Sequence, residues 1–303
     1  MPASIYILGS TNTDMTIRNE RLPLPGETIS GGVFLLAAGG KGANQAVAVA
    51  RLFPAGRTVF IGKVGKDLFG EETAQRMARE GMEARLLVDP VQASGTALIL
   101  VDGQGQNSIS VALGANGTLS PQEAWDQLHD LEGAAALLLQ LETPLETVCR
   151  AAERAKQAKV PVLLNPAPAR PLPASLYPLL EWITPNEREA EQLTGVAVTD
   201  EGSAARAAAI LQGRGVANVL ITLGSRGCWC SATGRLHPAR RVEAVDCVAA
   251  GDTFNGAFAV ALAEGRPWEE AIAFAQEAAA ISVTRPGAQP SIPRREELSP
   301  RFP

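Results

Sequence analysis

Short apolar segments alternate with alanine-rich stretches along most of this 303-residue chain. Fully apolar runs of this length are typical of parallel strands that are buried on both faces of a sheet. Their alternation with helical stretches predicts βαβ units, whose crossovers are right-handed. The strand candidates are Ile5–Leu8, Thr58–Ile61, Ala135–Leu139, Pro161–Leu164, Trp182–Thr184 and Val219–Thr222.

Two segments interrupt this pattern and predict a small additional sheet. The first is rich in proline and glycine and then becomes extended around Thr28–Phe34. In the second, Gly95–Val101 and Ser108–Leu113 flank a turn that contains Asp102 and Gly103, which is typical of a hairpin. We therefore expect one α/β domain over residues 1–303, with excursions at about 12–36 and 94–112.

Composition and charge argue against several classes of partner. The chain has 46% apolar but only 5% aromatic residues, which suits helices packed on a mostly parallel sheet. Its net charge is −5, and neither sign forms a run that could follow a nucleic-acid backbone. No apolar run approaches the roughly 18 residues of a membrane span, and the first residues lack a secretory pattern. We expect a cytoplasmic protein without a nucleic-acid or membrane partner.

Four cysteines occur at spacings that match neither a zinc site nor a C-x-x-C redox motif. They are Cys149, Cys228, Cys230 and Cys247. We expect them to be reduced, buried thiols.

The segment Ala249–Gly256 leads into the alanine-rich stretch Ala257–Glu264, so small residues precede a predicted helix. Backbone N–H groups at a helix N-terminus, accessible because Gly251 has no side chain, could hold the negative charge of a phosphoryl group. Asp252 could then accept the proton of an attacking hydroxyl. By itself, the same pattern also describes an aspartate that caps a helix.

A second glycine cluster, Gly39–Gln45, also lies at the start of a predicted helix. It is not a Walker A loop, because Gly42 stands where that motif requires Ser or Thr. Nor is it a G-x-G-x-x-G motif, since Gln45 occupies the last glycine position. Without further context, this cluster also describes a plain tight turn.

Taken in order and separation, the two glycine sites resemble the two signature motifs of the ribokinase family of carbohydrate kinases. The resemblance runs nearly from end to end. It also includes the segments 9–14, 25–28, 139–142, 165–168, 184–187, 222–227 and 284–291.

This resemblance implies a three-layer α/β/α fold with a mostly parallel central sheet and a small β-sheet lid. It further implies ATP-dependent phosphorylation of D-ribose at the O5 hydroxyl, giving D-ribose 5-phosphate and ADP. The family also suggests a homodimer formed through the lids, whose water-exposed edges invite pairing.

Residue by residue, the resemblance implies three groups of side chains and backbone atoms. The sugar would be bound by Asn12, Asp14, Gly40, Lys41, Gly42, Asn44, Glu142 and Asp252. Asp252 would be the base, and Ala249, Ala250, Gly251 and Asp252 would supply the anion hole. ATP would be bound by Asn186, Thr222, Leu223, Gly224, Ser225, Arg226, Gly227, Gly251, Asp252 and Gln276. Gln276 departs from the His or Asn that relatives often carry there, so the adenine contacts differ.

The resemblance also implies two metal ions. Glu189 would bind Mg²⁺ through water, although it could equally be a first-turn acid that the helix dipole stabilises. A monovalent cation, K⁺, would be held by Asp246, Val248, Ser282, Arg285, Gly287 and Ser291. An oxygen-rich set of this kind suits potassium, and a bound cation could fix the nearby anion hole.

Two other functions stay open at this point. One is a kinase of the same family for deoxyribose, another sugar or a nucleoside. A carboxylate such as Asp14, paired with a ribose hydroxyl, should disfavour an analogue that lacks this hydroxyl. The other is a catalytically silent sugar or nucleotide sensor, since a fold does not fix a function. An intact Asp252 and glycine loop argue against the sensor.

Overall fold

The computed structural model describes residues 3–300 and 302, which form one large and one small β-sheet with helices. The strands are β1 (Ser4–Leu8), β2 (Asn12–Arg18), β3 (Val33–Gly39), β4 (Arg57–Gly65), β5 (Glu83–Asp89), β6 (Gly95–Val101), β7 (Asn107–Ala112), β8 (Ala136–Leu139), β9 (Val162–Leu164), β10 (Trp182–Ile183), β11 (Asn218–Thr222), β12 (Cys228–Cys230) and β13 (Arg235–His237). The α-helices are α1 (Lys41–Leu52), α2 (Leu68–Arg79), α3 (Pro121–Gln127), α4 (Leu145–Gln157), α5 (Glu187–Thr194), α6 (Glu201–Gly213), α7 (Ala250–Ala263) and α8 (Trp268–Ser282).

The large sheet has the strand order β13-β12-β11-β10-β9-β8-β1-β4-β5. It is parallel from β5 to β11, and only β12 and β13 are antiparallel. In the centre of the sheet, Leu8 pairs with Ile61 on one side and with Leu139 on the other. The carboxyl ends of the central strands therefore reach the same edge of the sheet.

Helices cover both faces of this sheet. Ile5 and Ile7 of β1 belong to the core beneath α1, α2, α7 and α8, whereas Tyr6 and Leu8 belong to the core beneath α3, α4, α5 and α6. All four side chains are fully buried, which explains why the sequence of this strand is apolar throughout. The expected three-layer α/β/α fold with a mostly parallel sheet is thus confirmed.

The small sheet has the strand order β3-β2-β6-β7 and is called the lid below. β2 pairs antiparallel with β3 and parallel with β6, and β6 and β7 form the predicted hairpin. Several large apolar side chains on this sheet are exposed: Val33, Phe34, Leu35, Leu36, Leu98, Ile109 and Val111. β2 follows β1 after three residues, and β3 leads directly into α1, so the lid is attached next to the carboxyl end of β1.

Two further features of the fold are the state of its cysteines and the length of its apolar helices. The four cysteines are free, as expected, but the expectation that all are buried is wrong, because Cys247 is exposed in the segment before α7. Among residues 3–300 and 302, no helix is both long and apolar enough to cross a bilayer.

Candidate active site

Polar side chains collect where the central parallel strands end. Gly9 and Ser10 follow β1, Gln140 follows β8, and Asn165 follows β9. The carboxyl edge of an open α/β sheet is where ligands bind in such folds. The N-termini of α1 and α7 meet at this edge, because Asp252 of α7 contacts Asn44 and Gln45 of α1.

Asp252 lies in the first turn of α7 and is 5% exposed. Its Oδ2 accepts a 3.0 Å hydrogen bond from Asn44 Nδ2, and its Oδ1 accepts a 3.2 Å hydrogen bond from Gln45 Nε2. Ala249, not Asp252, occupies the N-cap position of α7. The carboxylate therefore faces α1 rather than capping its own helix, and burial raises its pKa.

Lys41, the first residue of α1, carries a positive charge that interacts with several carboxylates of the site. Asp252 contributes most to raising the pKa of Lys41, and Glu142, Glu189 and Asp14 add to this effect. An ammonium with a raised pKa stays protonated at neutral pH. The site therefore places one fixed positive charge among four acids, where it can attract a phosphate oxygen or a sugar hydroxyl.

Glu142 lies in the turn after β8 and is half-buried. Its Oε2 accepts hydrogen bonds from Ser10 Oγ at 2.5 Å and from the backbone N of Lys41 at 2.9 Å. Since Gly40 has no side chain to cap α1, this carboxylate satisfies a free N–H of the first helical turn. Its second oxygen makes no hydrogen bond within the described residues and is available to a ligand.

Asp14 on β2 extends the site into the lid. Burial and the charge of Glu142 raise its pKa to about 6, and Lys41 opposes this shift. The carboxylate lies against Gly39 of the neighbouring strand, where an added Cβ would be 2.2 Å from Oδ2. The glycine thus makes room for an acid that is poised to change its charge near neutral pH.

Asn12 also belongs to β2, and its amide is oriented by a residue that sequence reasoning missed. Asn116, fully buried, donates from Nδ2 to Asn12 Oδ1 at 2.9 Å. Asn116 is itself fixed through the backbone of Thr11. The side-chain oxygen of Asn12 therefore faces Asn116, and its amide nitrogen points away from Asn116 and keeps its hydrogens as donors. No motif marks Asn116, because its contacts lie 104 and 105 positions away.

The glycines at the start of α1 have a steric explanation. Gly40 has φ 89°, a left-handed backbone that L side chains rarely adopt. A Cβ on Gly42 would lie 2.7 Å from the backbone of Gly9. The cluster therefore brings the start of α1 against the end of β1, and this contact presents Lys41 and Asn44 at the site.

A cavity of about 830 Å³ lies beside Asp252 and extends towards α5, β11 and α8. Among the predicted nucleotide residues, it is lined by Asn186, Thr222, Gly224, Ser225, Gly227, Gly251, Asp252 and Gln276. Leu223 instead packs in the core, and Arg226 pairs with Glu187 at 2.6 Å. Sequence reasoning missed Arg188, Arg240 and Arg241, which also line the cavity and bring positive charge to it.

The turn that opens α7 has an unusual backbone. Ala249 has φ 59° and ψ 10°, a left-handed conformation that costs about 1 kcal/mol or more for a residue with a Cβ. A Cβ added to Gly251 would meet open space. Both residues line the cavity, so the first N–H groups of α7 lie where an anionic ligand can approach.

Asn186 and Glu189 form a capping box at the start of α5. Asn186 Oδ1 accepts from the Glu189 N, and Glu189 Oε2 accepts from the Asn186 N, both at 2.9 Å. Glu189 therefore is the first-turn acid that its position suggested. It also lines the cavity. Burial raises its pKa, and the hydrogen bond from the Asn186 N and the charge of Lys41 oppose this shift.

Asp246 connects two segments that flank the start of α7 and the end of α8. Its Oδ1 accepts from the Val248 N and its Oδ2 accepts from the Gly287 N, both at 2.9 Å. Ser291 donates its hydroxyl proton to the Ala288 carbonyl at 2.7 Å, which leaves its oxygen as an acceptor. A carboxylate, a hydroxyl and backbone carbonyls are oxygen donors of the kind that suits a monovalent cation. Within the described residues, no cluster of three or more His, Cys, Asp or Glu could hold a metal ion.

A buried carboxylate at a helix N-terminus, between polar side chains that can bind hydroxyl groups and a large cavity, fits a phosphotransferase for an alcohol acceptor. Comparisons with known proteins agree with this class. Residues 2–295 match the pfkB family carbohydrate kinase. The chain is 45% identical to a ribokinase from Haemophilus influenzae, over 98% of this chain and 97% of the relative. The chain belongs to the pfkB family of carbohydrate kinases.

The chain is also similar to two further members of this group of proteins. A deoxyribokinase from Salmonella typhi is 38% identical over 97% of both chains. The solved structure of Arabidopsis thaliana ribokinase complexed with ribose and ATP is 36% identical. It matches with a TM-score of 0.90 over 97% of this chain and 96% of that one.

Proposed function

We propose that this protein transfers the γ-phosphoryl group of ATP to the O5 hydroxyl of D-ribose, giving D-ribose 5-phosphate and ADP. The observation that carries the proposal is the position of Asp252, buried between Asn44 on one side and the 830 Å³ cavity on the other. A base in this position can reach a sugar hydroxyl and a nucleotide at once. The 45% identity to a ribokinase over nearly the whole chain supports ribose as the sugar.

The reaction follows from the groups at the two helix N-termini. Asp252 orients the O5 hydroxyl and accepts its proton while O5 bonds to the γ-phosphorus, and the bond from that phosphorus to the ADP oxygen breaks. In a loose transition state the proton moves late, so positioning matters more than basicity. The N–H groups of Gly251 and Asp252 face the developing charge on the transferred group, whereas the Ala250 N–H donates to the Cys247 carbonyl at 3.3 Å.

Recognition of the sugar rests on fixed donors and acceptors. Asp14 and Glu142 accept hydrogen bonds from ribose hydroxyls, while Asn12, Asn44 and Lys41 donate to them. Gly40 and Gly42 allow the close approach of α1 that places this set. The cavity residues, including Gln276, bind ATP. Leu223 and Arg226 shape the turn that follows β11, where the Leu223 N donates to the Gly227 carbonyl and the Arg226 N donates to the Leu223 carbonyl.

Two ions complete the proposed site, and the residues present fit both. Glu189, half-buried and facing the cavity, would hold Mg²⁺ through water together with ATP phosphate oxygens, and the ion would neutralise phosphate charge. Asp246, Ser291 and the carbonyls of Val248, Ser282, Arg285 and Gly287 would hold K⁺. That site is adjacent to the anion hole, because Asp246 is bonded to the Val248 N just before Ala249.

We further propose a homodimer formed through the lid and a cytoplasmic location. The exposed apolar side chains of the lid exceed what a monomer usually presents in one small sheet. A second lid would cover them and pair the exposed strand edges. Four free cysteines are in keeping with a reducing compartment.

The proposed function is tested by measuring ADP release with Mg²⁺, K⁺ and ATP in the presence of D-ribose, 2-deoxyribose, fructose, adenosine or no sugar. We expect the largest kcat/KM with D-ribose. A larger value for another acceptor would keep the kinase and change its substrate. If none of the acceptors increases ADP release above the value without sugar, the result would favour a sensor and contradict the proposal.

A further inference from the structure

Next to Asp252 lies a row of buried amide side chains. Gln45 of α1 donates from Nε2 to Asp252 Oδ1 at 3.2 Å and to Asn165 Oδ1 at 3.3 Å. Gln140, which follows β8, donates from Nε2 to Gln45 Oε1 at 2.7 Å. Gln45 is 1% exposed and Gln140 is fully buried. The row therefore connects the central sheet to the carboxylate through α1.

The direction of these hydrogen bonds follows from the charge of Asp252. An ionised carboxylate only accepts, so Gln45 must present its NH₂ group to it. Gln45 Oε1 then needs a donor, and Gln140 supplies one by turning its own NH₂ group towards Gln45. As a result, Gln140 Oε1 has no hydrogen-bond partner within residues 3–300 and 302.

The unpartnered oxygen of Gln140 is unfavourable for the stability of the fold. A buried amide oxygen without a donor destabilises a folded protein, because it has lost its hydrogen bonds to water. The oxygen lies against Gly9, where an added Cβ would be 2.0 Å away, so the backbone leaves space for this orientation. Such an isolated polar atom in a well-packed site calls for a functional explanation.

We propose that Gln45, held in one orientation by Gln140, is a positioning residue for Asp252 that fixes the plane of the carboxylate and maintains it as a proton acceptor. The inference rests on the proposed role of Asp252 as the base. Gln45 and Asn44 bind one carboxylate oxygen each, so the group cannot rotate without losing both bonds. Asn44 also belongs to the proposed sugar site, whereas Gln45 does not, and its amide bonds only Asp252, Asn165 and Gln140 within the described residues.

The electrostatic surroundings give this role a measurable consequence. Burial raises the pKa of Asp252, while Lys41 of α1 and the amides of Asn44 and Gln45 lower it. Glu142 after β8 opposes its ionisation, and Glu189 of α5 interacts with it unfavourably as well. Removal of the Gln45 donor therefore moves the pKa of Asp252 further upward.

The experiment compares Gln45→Met and Gln140→Met with the wild-type enzyme. Methionine keeps the length of the side chain and removes the amide. We expect both variants to lower kcat, Gln45→Met by roughly 10- to 100-fold. The KM for ribose should change by less than about threefold. The acid limb of the pH profile of kcat should move to higher pH.

Gln140→Met separates positioning from stability, because it removes the unpartnered oxygen as well as the donor to Gln45. We expect its midpoint of thermal unfolding to stay close to that of the wild type while its kcat and pH profile follow Gln45→Met. A lowered midpoint with an unchanged pH profile in both variants would overturn the inference and leave a purely structural role. Gln122→Met, at an exposed position of α3, serves as the matched control and should leave every measurement unchanged.

Asp252→Asn, measured alongside, distinguishes the two possible failures. If Asp252→Asn retains turnover, the base assignment itself is wrong. If Asp252→Asn loses turnover while Gln45→Met keeps the wild-type kcat and pH profile, only the role of Gln45 is overturned.

Discussion

Asn44 donates a 3.0 Å hydrogen bond from Nδ2 to Oδ2 of Asp252, although 208 positions separate the two residues. The bond joins the first turn of α1, which follows the lid, to the first turn of α7, which borders the large cavity. Gln289 donates to Asn44 Oδ1 at 3.3 Å and fixes the amide on its other side. A sugar bound next to Asn44 is thereby placed beside the carboxylate, and several predictions depend on this geometry.

Asp252→Asn should remove the proton acceptor while keeping the shape of the site. We expect kcat to fall by about 100-fold or more, in line with the usual contribution of a general base. The affinity for ribose and ATP should be largely retained, because an amide still fills the same space. Steady-state kinetics and isothermal titration calorimetry measure these two quantities. Near-normal turnover of a folded variant would contradict the assignment.

Asp14 should give the enzyme a pH dependence near its pKa of about 6. Above this value the carboxylate accepts hydrogen bonds from the sugar, and below it one oxygen carries a proton. We therefore expect kcat/KM for ribose to fall as the pH decreases through about 6. Asp14→Asn should have a lower kcat/KM and lack this limb, whereas a limb that persists in the variant would show that another group causes it.

The same pKa shift in Asp14 affects stability in the opposite direction to activity: stability is higher at low pH. Its pKa is raised from 3.8 on folding, so the native state binds more protons than the unfolded state between about pH 4 and 6. This contribution to the free energy of unfolding therefore decreases as the pH rises through that window. Asp14→Asn should be more stable than the wild type by up to about 3 kcal/mol at pH 7.5 without sugar. Chemical denaturation at pH 4 and 7.5 measures the difference.

Gly256 of α7 sets the distance between the two helices that hold the site. A Cβ there would lie 2.6 Å from Ala48 Cβ and 2.8 Å from the carbonyl oxygen of Gln45. Gly256→Ala should therefore push α7 away from α1, lower the free energy of unfolding by about 1–3 kcal/mol and reduce kcat. Gly213→Ala at the end of α6, where a Cβ meets open space, is the control and should be neutral or slightly stabilising. Equal effects of both substitutions would contradict the packing argument.

The sequence was sufficient for the elements whose pattern is local. The predicted strand Ile5–Leu8 lies within β1, the helix predicted to start at Gly39–Gln45 is α1, and the hairpin around Asp102 joins β6 and β7. These segments could be predicted because an apolar run, an alanine-rich run and a turn signal each act over a few residues.

The rest of the site depends on contacts between distant segments. Nothing near Gln45 in the sequence indicates that it binds Asp252, 207 positions away, or Gln140, 95 positions away. The left-handed backbone of Ala249 could not be predicted either, because alanine rarely adopts it. The pKa of Asp14 depends on its burial and on Glu142, which comes from another strand end.

The exposed apolar side chains of the lid should mediate dimer formation. Cross-strand neighbours share a face, so Leu98 lies on the same face as Met15 and Leu36, while Ile109 lies on the face of Leu35 and Ile99. Leu98→Lys and Ile109→Lys place a charge on one face each. We expect the wild type to be a dimer by light scattering. The substitution on the lid face that the second subunit covers should give a monomer. A monomeric wild type, or dimers in both variants, would contradict a dimer formed through the lid.

Potassium should raise activity through the segment that precedes the anion hole. Asp246 already ties the Val248 N to the Gly287 N, and a cation bound there would hold Ala249 in its left-handed conformation. Because that conformation is unfavourable for alanine, we expect the turn to relax when the cation is removed and kcat to fall by about tenfold or more. Replacement of KCl by tetramethylammonium chloride at constant ionic strength measures this effect. Asp246→Ala should be slow in both salts, and equal activity of the wild type in the two salts would contradict activation by the cation.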